Sequence, residues 1–334
     1  MSAYDAGAIV VLEWPESVRK RPGMYIGSVD ERGLHHMVCE TVESAANEVL
    51  SGRATRVEVA LTADGGVRVA HDGVHPYDLA QVLTTLPAGW PAGHEDRRRI
   101  AWGGTLPAVV NALSARLVAE ERRDGVPARQ EYARGERIVP SAGEDLADGT
   151  AITFHPDPEI FETVAFDYPT LVEHLRELAL LNRELDITLT DERTTPPRTE
   201  RLHHPAGPVD FTTRLGGDPA DTLTLRTTDE RMHGTLELAL SWTGGGGVHC
   251  YANSRPTDGG AHLAGFHDGL AAALGRPDPP AGLTAVVSVK LDRLDLEGAT
   301  RRTLGNAPVR ACVAEAVRRA VTDRLVARPR PASG

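Results

Sequence analysis

Cysteine is nearly absent from this chain. Its 334 residues hold three, Cys39, Cys250 and Cys312, widely spaced and without a CxxC pair. That excludes a disulfide framework and a thiolate zinc site, and it points to reduced thiols in a cytosolic protein. Aromatic residues are only 4% of the chain, so the cores have to come from an aliphatic share that is ordinary for a globular protein. Positive charge is in deficit, with 36 Lys and Arg against 47 Asp and Glu and a net charge of -11. Affinity for a phosphate backbone comes mostly from Lys and Arg, so no direct nucleic-acid binding is expected. There is no charged-then-apolar leader and no apolar run long enough to cross a bilayer. The expectation is a soluble cytoplasmic protein without a membrane partner.

What is present suffices for about two domains. Residues 1–16 carry the short apolar run IVVLEW and read as an arm or edge strand. From Gly33 to Leu50, Met37, Val38, Val42, Ala45, Ala46 and Val49 recur at helical spacing, and Gly52 closes the helix. Arg56–Leu61 and Gly66–Ala70 alternate around Ala63–Gly66, a hairpin pattern. Residues 87–104 read as a loop, 106–117 as a helix, 117–121 and 129–132 as a strand pair, 150–154 as a strand and 166–181 as a helix. A stretch rich in Thr, Pro, Arg and His, 193–208, separates the halves. Two strands and the glycine turn 244–247 follow, then a helix over 260–274, a strand over 284–291 and a last helix over 307–325. These features give domains at 1–195 and 205–327 and a disordered tail at 328–334. No internal repeat is visible.

The segments RKRPGMYIG (Arg19–Gly27) and GLHHMVCETVESAANEVLSG (Gly33–Gly52) resemble the N-terminal region of bacterial DNA gyrase B. FHPDPEIF (Phe154–Phe161), LRELALLN (Leu175–Asn182), YANSRPTDGGAHLAGF (Tyr251–Phe266) and ATRRTLGNAPV (Ala299–Val309) extend the likeness over nearly the whole chain. The resemblance implies an α/β (α+β) fold: a Bergerat (GHKL) ATPase sandwich followed by a transducer domain of the ribosomal S5 domain 2-like type. In that family ATP and Mg²⁺ are the cofactors, and the N-terminal arm, matched here by Tyr4 and Ile9, dimerises. The chain stops where a toprim domain is expected and has no EGDSA-like acidic cluster, which implies that the DNA-cleavage module is missing.

Carried over residue by residue, the resemblance assigns Glu40 as the helix carboxylate that draws a proton from the attacking water. Ser44 stands four residues on, where the family has a magnesium-holding asparagine, and Glu43 matches an aspartate. The adenine-binding motif reads His71-Asp72-Gly73-Val74-His75-Pro76, with imidazole in place of the carboxylate that accepts from the adenine amino group. A hydrogen bond to a charged group contributes about 1.5–3 kcal/mol. The phosphate loop is short. Gly103-Gly104-Thr105-Leu106-Pro107-Ala108 runs directly into Val109-Val110-Asn111, and Pro107 has no N–H to offer a phosphate. Arg301 takes the place of the transducer lysine and Ala299 that of its glutamine, while Arg129 and Thr150 match retained pocket residues.

Three functional readings stay open. The first is a degenerate, non-topoisomerase binding or regulatory protein whose partners are a gyrase subunit, a second copy of itself, or a gyrase-directed inhibitor held in the former ATP pocket. The second is a repurposed acid/base enzyme of specialised metabolism (a cyclase, isomerase or hydrolase) built on Glu40, His71 and His75, with Glu43 and Asp72 beside them and Trp90 and Trp102 as apolar surface. The third is a weak ATPase that retains Glu40, Thr150, Arg129 and Arg301. Against these stand plainer roles. His71 and His75 suit packing, Trp90 and Trp102 shielding of a short loop, Arg97–Arg99 a solvated face, and Cys39 the core.

Overall fold

The computed structural model describes residues 13–74, 78–86, 107–141, 148–277, 281–298 and 300–327. Residues 1–12 of the expected arm, the tail and the loop, and with them His75, Trp90, Trp102 and Ala299, lie outside the described residues. The chain divides into two compact units. Among the described residues the first holds those up to 86 together with 107–175 and 186–202, and the second holds 176–185 and 203–327.

The first unit opens with the short helices α1 (Glu16–Lys20) and α2 (Gly23–Ile26), followed by the long α3 (Glu31–Leu50). Asp30 caps α3, its Oδ1 accepting from the Arg32 and Gly33 amides at 2.9 and 3.4 Å. Gly33 is needed there, because a Cβ would lie 1.9 Å from the Ser28 carbonyl oxygen. Strands β1 (Val57–Leu61) and β2 (Val67–His71) form the expected hairpin, and Gly65 adopts φ +89° in its turn. After α4 (Leu79–Thr84) comes α5 (Pro107–Ala112), which is shorter than the helix expected over 106–117. Strand β3 already begins at Ser114. Leu113 and Leu117 are four apart, which suits either period, but from Leu117 to Ala119 the chain is buried as a strand paired with β6, and that pairing wins.

Strands β4 (Val126–Ala133), β5 (Glu136–Ile138) and β6 (Gly149–Pro156), helix α6 (Tyr168–Leu181, whose second half belongs to the second unit) and strands β7 (Asp186–Asp191) and β8 (Arg198–His203) complete the first unit. The sheet order is β5-β4-β3-β6-β2-β1-β7-β8, with β7 parallel to β1. Val57, Val59, Leu61, Val67, Val69 and Phe154 are buried on one face, against which α3 packs, while Glu58 is exposed on the other.

The second unit contains α7 (Pro208–Arg214), β9 (Leu223–Asp229), β10 (Gly234–Ser241), β11 (Gly247–Ala252), β12 (Arg255–Pro256), β13 (Gly259–Gly260), α8 (Ala261–Leu274), β14 (Thr284–Leu291), β15 (Leu296–Glu297), β16 (Thr303–Leu304) and α9 (Ala307–Ala327). Its main sheet has the order β12-β11-β14-β10-β9. Leu236, Leu238, Val287 and Val289 pack with Phe266 of α8 and Val313 of α9. Gly265 and Gly269, one helical turn apart on α8, let α9 approach. A Cβ at either would sit 2.4 Å from a carbonyl oxygen, Arg310 and Ala314 respectively.

His262 is fully buried in α8. Its Nε2 lies 2.8 Å from Thr257 Oγ1, and its Nδ1 has no partner among the described residues. Burial lowers its pKa from 6.5 to about 4. Between those values the unfolded chain takes up a proton that the folded chain refuses, so stability falls as pH drops through this window. Between pH 6.5 and 4.5 the wild type is expected to lose about 2–3 kcal/mol more stability than His262→Gln, measured by urea denaturation. Parallel pH profiles for the two proteins would refute the assignment.

Candidate functional site

Glu40 lies on the buried side of α3, 5% exposed, with its Oε1 3.4 Å from His36 Nε2 one helical turn back. Glu43 and Ser44 are half-buried on the following turn. The i, i+4 spacing places Ser44 along the helix from Glu40, as the sequence requires.

The sheet supplies the floor. His71 pairs with Thr150 of β6, Thr150 with Glu121 of β3, and Glu121 with Ala128 of β4. Residues in one cross-strand row share a face, and here it is the face covered by α3. His71 is 8% exposed and Thr150 3%. The Thr150 hydroxyl donates to the Gly73 carbonyl at 3.0 Å, tying β6 to the turn after β2. Two glycines fix that turn. A Cβ at Gly149 would lie 2.4 Å from the His71 carbonyl oxygen, and one at Gly73 would lie 2.3 Å from that of Arg53.

Asp72 is occupied elsewhere. Its carboxylate accepts from the Thr55 amide at 2.7 Å and from the Thr55 hydroxyl, and it lies 3.4 Å from Arg56 Nη1. Burial raises its pKa, but the Thr55 and Arg56 hydrogen bonds outweigh this and hold it below the ordinary carboxylate value. Its contacts join the end of β2 to the start of β1.

Arg129 does not join His71 and Thr150. It pairs with Glu120 one row along, so it points from the opposite face, where it binds the Glu120 carboxylate and lies 3.2 Å from Ser141 Oγ. The arginine on the Thr150 face is Arg123, whose Nη2 lies 3.1 Å from Glu121 Oε1. Arg123 and Glu121, with Asp78, Leu79, Ala119, Ala128 and Gln130, line a cavity of about 350 Å³ over the β3–β4 hairpin. Gln130 Oε1 accepts from the Tyr132 hydroxyl at 2.6 Å, and its NH₂ group has no partner among the described residues. The sequence reading missed Glu121, Arg123 and Gln130. The Asp124-Gly125 dipeptide was the usable signal. Both residues have positive φ (52° and 78°), the mark of a two-residue hairpin turn, and that turn sets the register.

Asn111, fully buried in α5, donates to the Leu83 carbonyl at 2.9 Å and thereby ties α5 to α4. Arg301 belongs to the second unit, where it is exposed, adopts φ 52° and donates from Nη1 to the Leu296 carbonyl at 2.6 Å. Among the described residues no group of three or more His, Cys, Asp or Glu side chains is suited to a metal ion.

This architecture is a mixed α/β fold of the GHKL ATPase class. It matches the ATP-binding domain of topoisomerase IV from Francisella tularensis with a TM-score of 0.74 over 96% of this chain. It also matches gyrase B of Myxococcus xanthus at TM-score 0.78, 26% identity, and 93% and 95% coverage of the two chains. The 43K ATPase domain of Thermus thermophilus gyrase B, solved in complex with an aminocoumarin, matches at TM-score 0.75 and 30% identity, covering 94% of this chain and 90% of that one. DNA gyrase B of Streptomyces coelicolor is 35% identical over 99% of this chain, and that of Mycobacterium tuberculosis 34% over 98%. No family model matches. The chain belongs to the DNA gyrase B family. It spans 56% and 58% of the length of those two curated relatives. No helix among the described residues is long and apolar enough to cross a membrane.

The Thr150 hydroxyl has a structural duty that stability measurements can isolate. Thr150→Val leaves the Gly73 carbonyl without its donor and is expected to cost about 1–2 kcal/mol in urea denaturation, with Thr150→Ser close to wild type. A Val variant as stable as the wild type would remove that bond from the account.

Proposed function

We propose that this chain is a gyrase-B-like ligand-binding module that uses the former ATP pocket to hold a small gyrase-directed inhibitor, with association to a gyrase subunit or a second copy as its protein contact. The observation that carries this reading is the composition of the pocket face. His71 and the Glu121–Arg123 pair share one side of the sheet with Thr150, next to a cavity of about 350 Å³. An imidazole, a carboxylate–guanidinium pair and the Gln130 amide suit a ligand with mixed donors and acceptors. The aminocoumarin held by the Thermus relative supplies the ligand class to try first.

The same donor set does not fit ATP and Mg²⁺ well. Glu40 lies beside His36. Ser44 offers a hydroxyl where the resemblance calls for an amide oxygen, and Asp72 is spent on Thr55 and Arg56. A second reading, acid/base catalysis on a metabolite, draws on the buried Glu40 next to His36, with His71 across the pocket face.

Calorimetric titration separates these readings. An aminocoumarin is expected to bind with a Kd in the micromolar range, about -8 kcal/mol. His71→Ala and Arg123→Ala are each expected to weaken it tenfold or more, while Arg129→Ala leaves it unchanged. Mg-ATP binding tighter than about 100 μM, roughly -5.5 kcal/mol, would instead revive a residual ATPase. Failure to bind any inhibitor or gyrase subunit would sink the module reading and turn the search to metabolite substrates.

A further inference from the structure

The main sheet of the second unit has two differently furnished faces. Val287 and Val289 of β14 enter the apolar core with α8 and α9. Ser288 and Lys290 alternate with them and point the other way. On that side Ser288 pairs with Glu237 of β10 and with Tyr251 of β11, and Glu237 pairs with Arg226 of β9. Arg183, in the loop after α6, reaches Glu237 Oε2 with Nη2 at 3.4 Å. Arg226 holds Glu237 Oε1 at 3.1 Å and lies 3.8 Å from Glu184.

Two observations set this cluster apart. First, its hydrogen bonding is incomplete. Ser288 is 2% exposed and its Oγ has no partner among the described residues, and neither has the buried Nε of Arg183. Second, the Lys290 amine is enclosed among charges of both signs: Glu237 and Glu184 act on it, and so do Arg183 and Arg226. Burial pulls the Lys290 amine below its ordinary value while Glu237 and Glu184 pull it back up. The choice of residue fits. The chain uses 34 arginines and only two lysines, Lys20 and Lys290, and at this position it places a compact point donor instead of a planar fork.

We propose that Lys290, Ser288 and Arg183 form a binding site for one small carboxylate-class anion. The two oxygens of a carboxylate can accept from separate donors, the Ser288 hydroxyl and the Arg183 Nε–H, and its negative charge suits the Lys290 ammonium beside them. A halide presents one centre to both donors, whereas a carboxylate offers each donor its own oxygen. The site is independent of the pocket reading of the first unit.

The test uses the full chain with sodium formate as probe and sodium chloride at equal ionic strength as control. Formate is expected to raise Tm by a few degrees at saturation while chloride does not. Titration of ¹³C-formate followed by NMR line width is expected to give a saturable curve, lost in Lys290→Met and weakened at least threefold in Ser288→Ala. Lys20→Met, at an exposed residue paired with Glu16 on α1, keeps the wild-type curve. If Lys290→Met fails to fold, Ser288→Ala carries the decision, since it removes a single hydroxyl. Equal shifts with chloride and formate, or a Ser288→Ala curve matching the wild type, would overturn the proposal.

Discussion

The first unit depends on one buried carboxylate. Asp157, at the end of β6, has a side chain fully shielded from solvent. It lies 2.6 Å from Arg19 Nη2 and 3.1 Å from Arg134 Nε, and it accepts from the Glu159 amide at 3.0 Å. Its own amide donates to the Leu113 carbonyl, while Arg19 Nη1 donates to the Ala112 carbonyl at 2.8 Å. One residue therefore joins α1, the end of α5, the β4–β5 turn and β6. Burial pushes the Asp157 carboxyl up, and the Glu159 amide and the two arginines bring it below its ordinary value, so it stays ionised. Removing one partner from such a buried pair costs about 3–5 kcal/mol, although the pair as a whole adds less, since desolvation offsets much of the attraction. The Arg19–Gly27 motif is thus a structural lock, and its presence in the sequence speaks for the fold more than for any chemistry.

That distinction explains what could be read in advance. Long periodic elements were legible. The α3 stripe, the β1–β2 hairpin, α8, β14 and α9 each follow from spacing and breakers within the segment itself. The helix expected over 106–117 was not, because a four-residue apolar step fits both periods and only pairing with β6 decides between them. Side-chain direction in the β3–β4 hairpin was harder still. Arg123 and Arg129 lie six residues apart, and the turn at Asp124-Gly125 puts one on each face of the sheet. A slip of one residue in β4 would move Arg129 to the face of Arg123. A motif match reads order along the chain, whereas a pocket is built from parity across strands.

The polar layer of the second unit was invisible for a related reason. Ser288 and Lys290 share a strand face with Thr284 and Val286 while the residues between them are apolar, and in one dimension the pattern reads as alternation with a solvent-facing side. The structure covers that side, since Leu180, Leu181 and Phe211 pack there with Tyr251 and Val286. Polar groups that alternation would assign to water are therefore enclosed with one another. Sequence periodicity reports which residues share a face and is silent about what lies over it.

In the first unit, the backbone at the end of β2 and the start of β6 is held by a small set of close contacts and hydrogen bonds. Gly73 and Gly149 admit the close approach of β2, β6 and the Arg53 carbonyl, and the Thr150 hydroxyl and Asp72 carboxylate close the remaining gaps. None of these contacts uses the side chains of His71, Val74, Glu121 or Arg123. The floor can therefore keep its shape while those four positions change, because the hydrogen bonds that shape it run through main chain, Thr150 and Asp72. Backbone shape and side-chain chemistry are carried by different atoms of the same strands, so family membership follows from the first and does not fix the second.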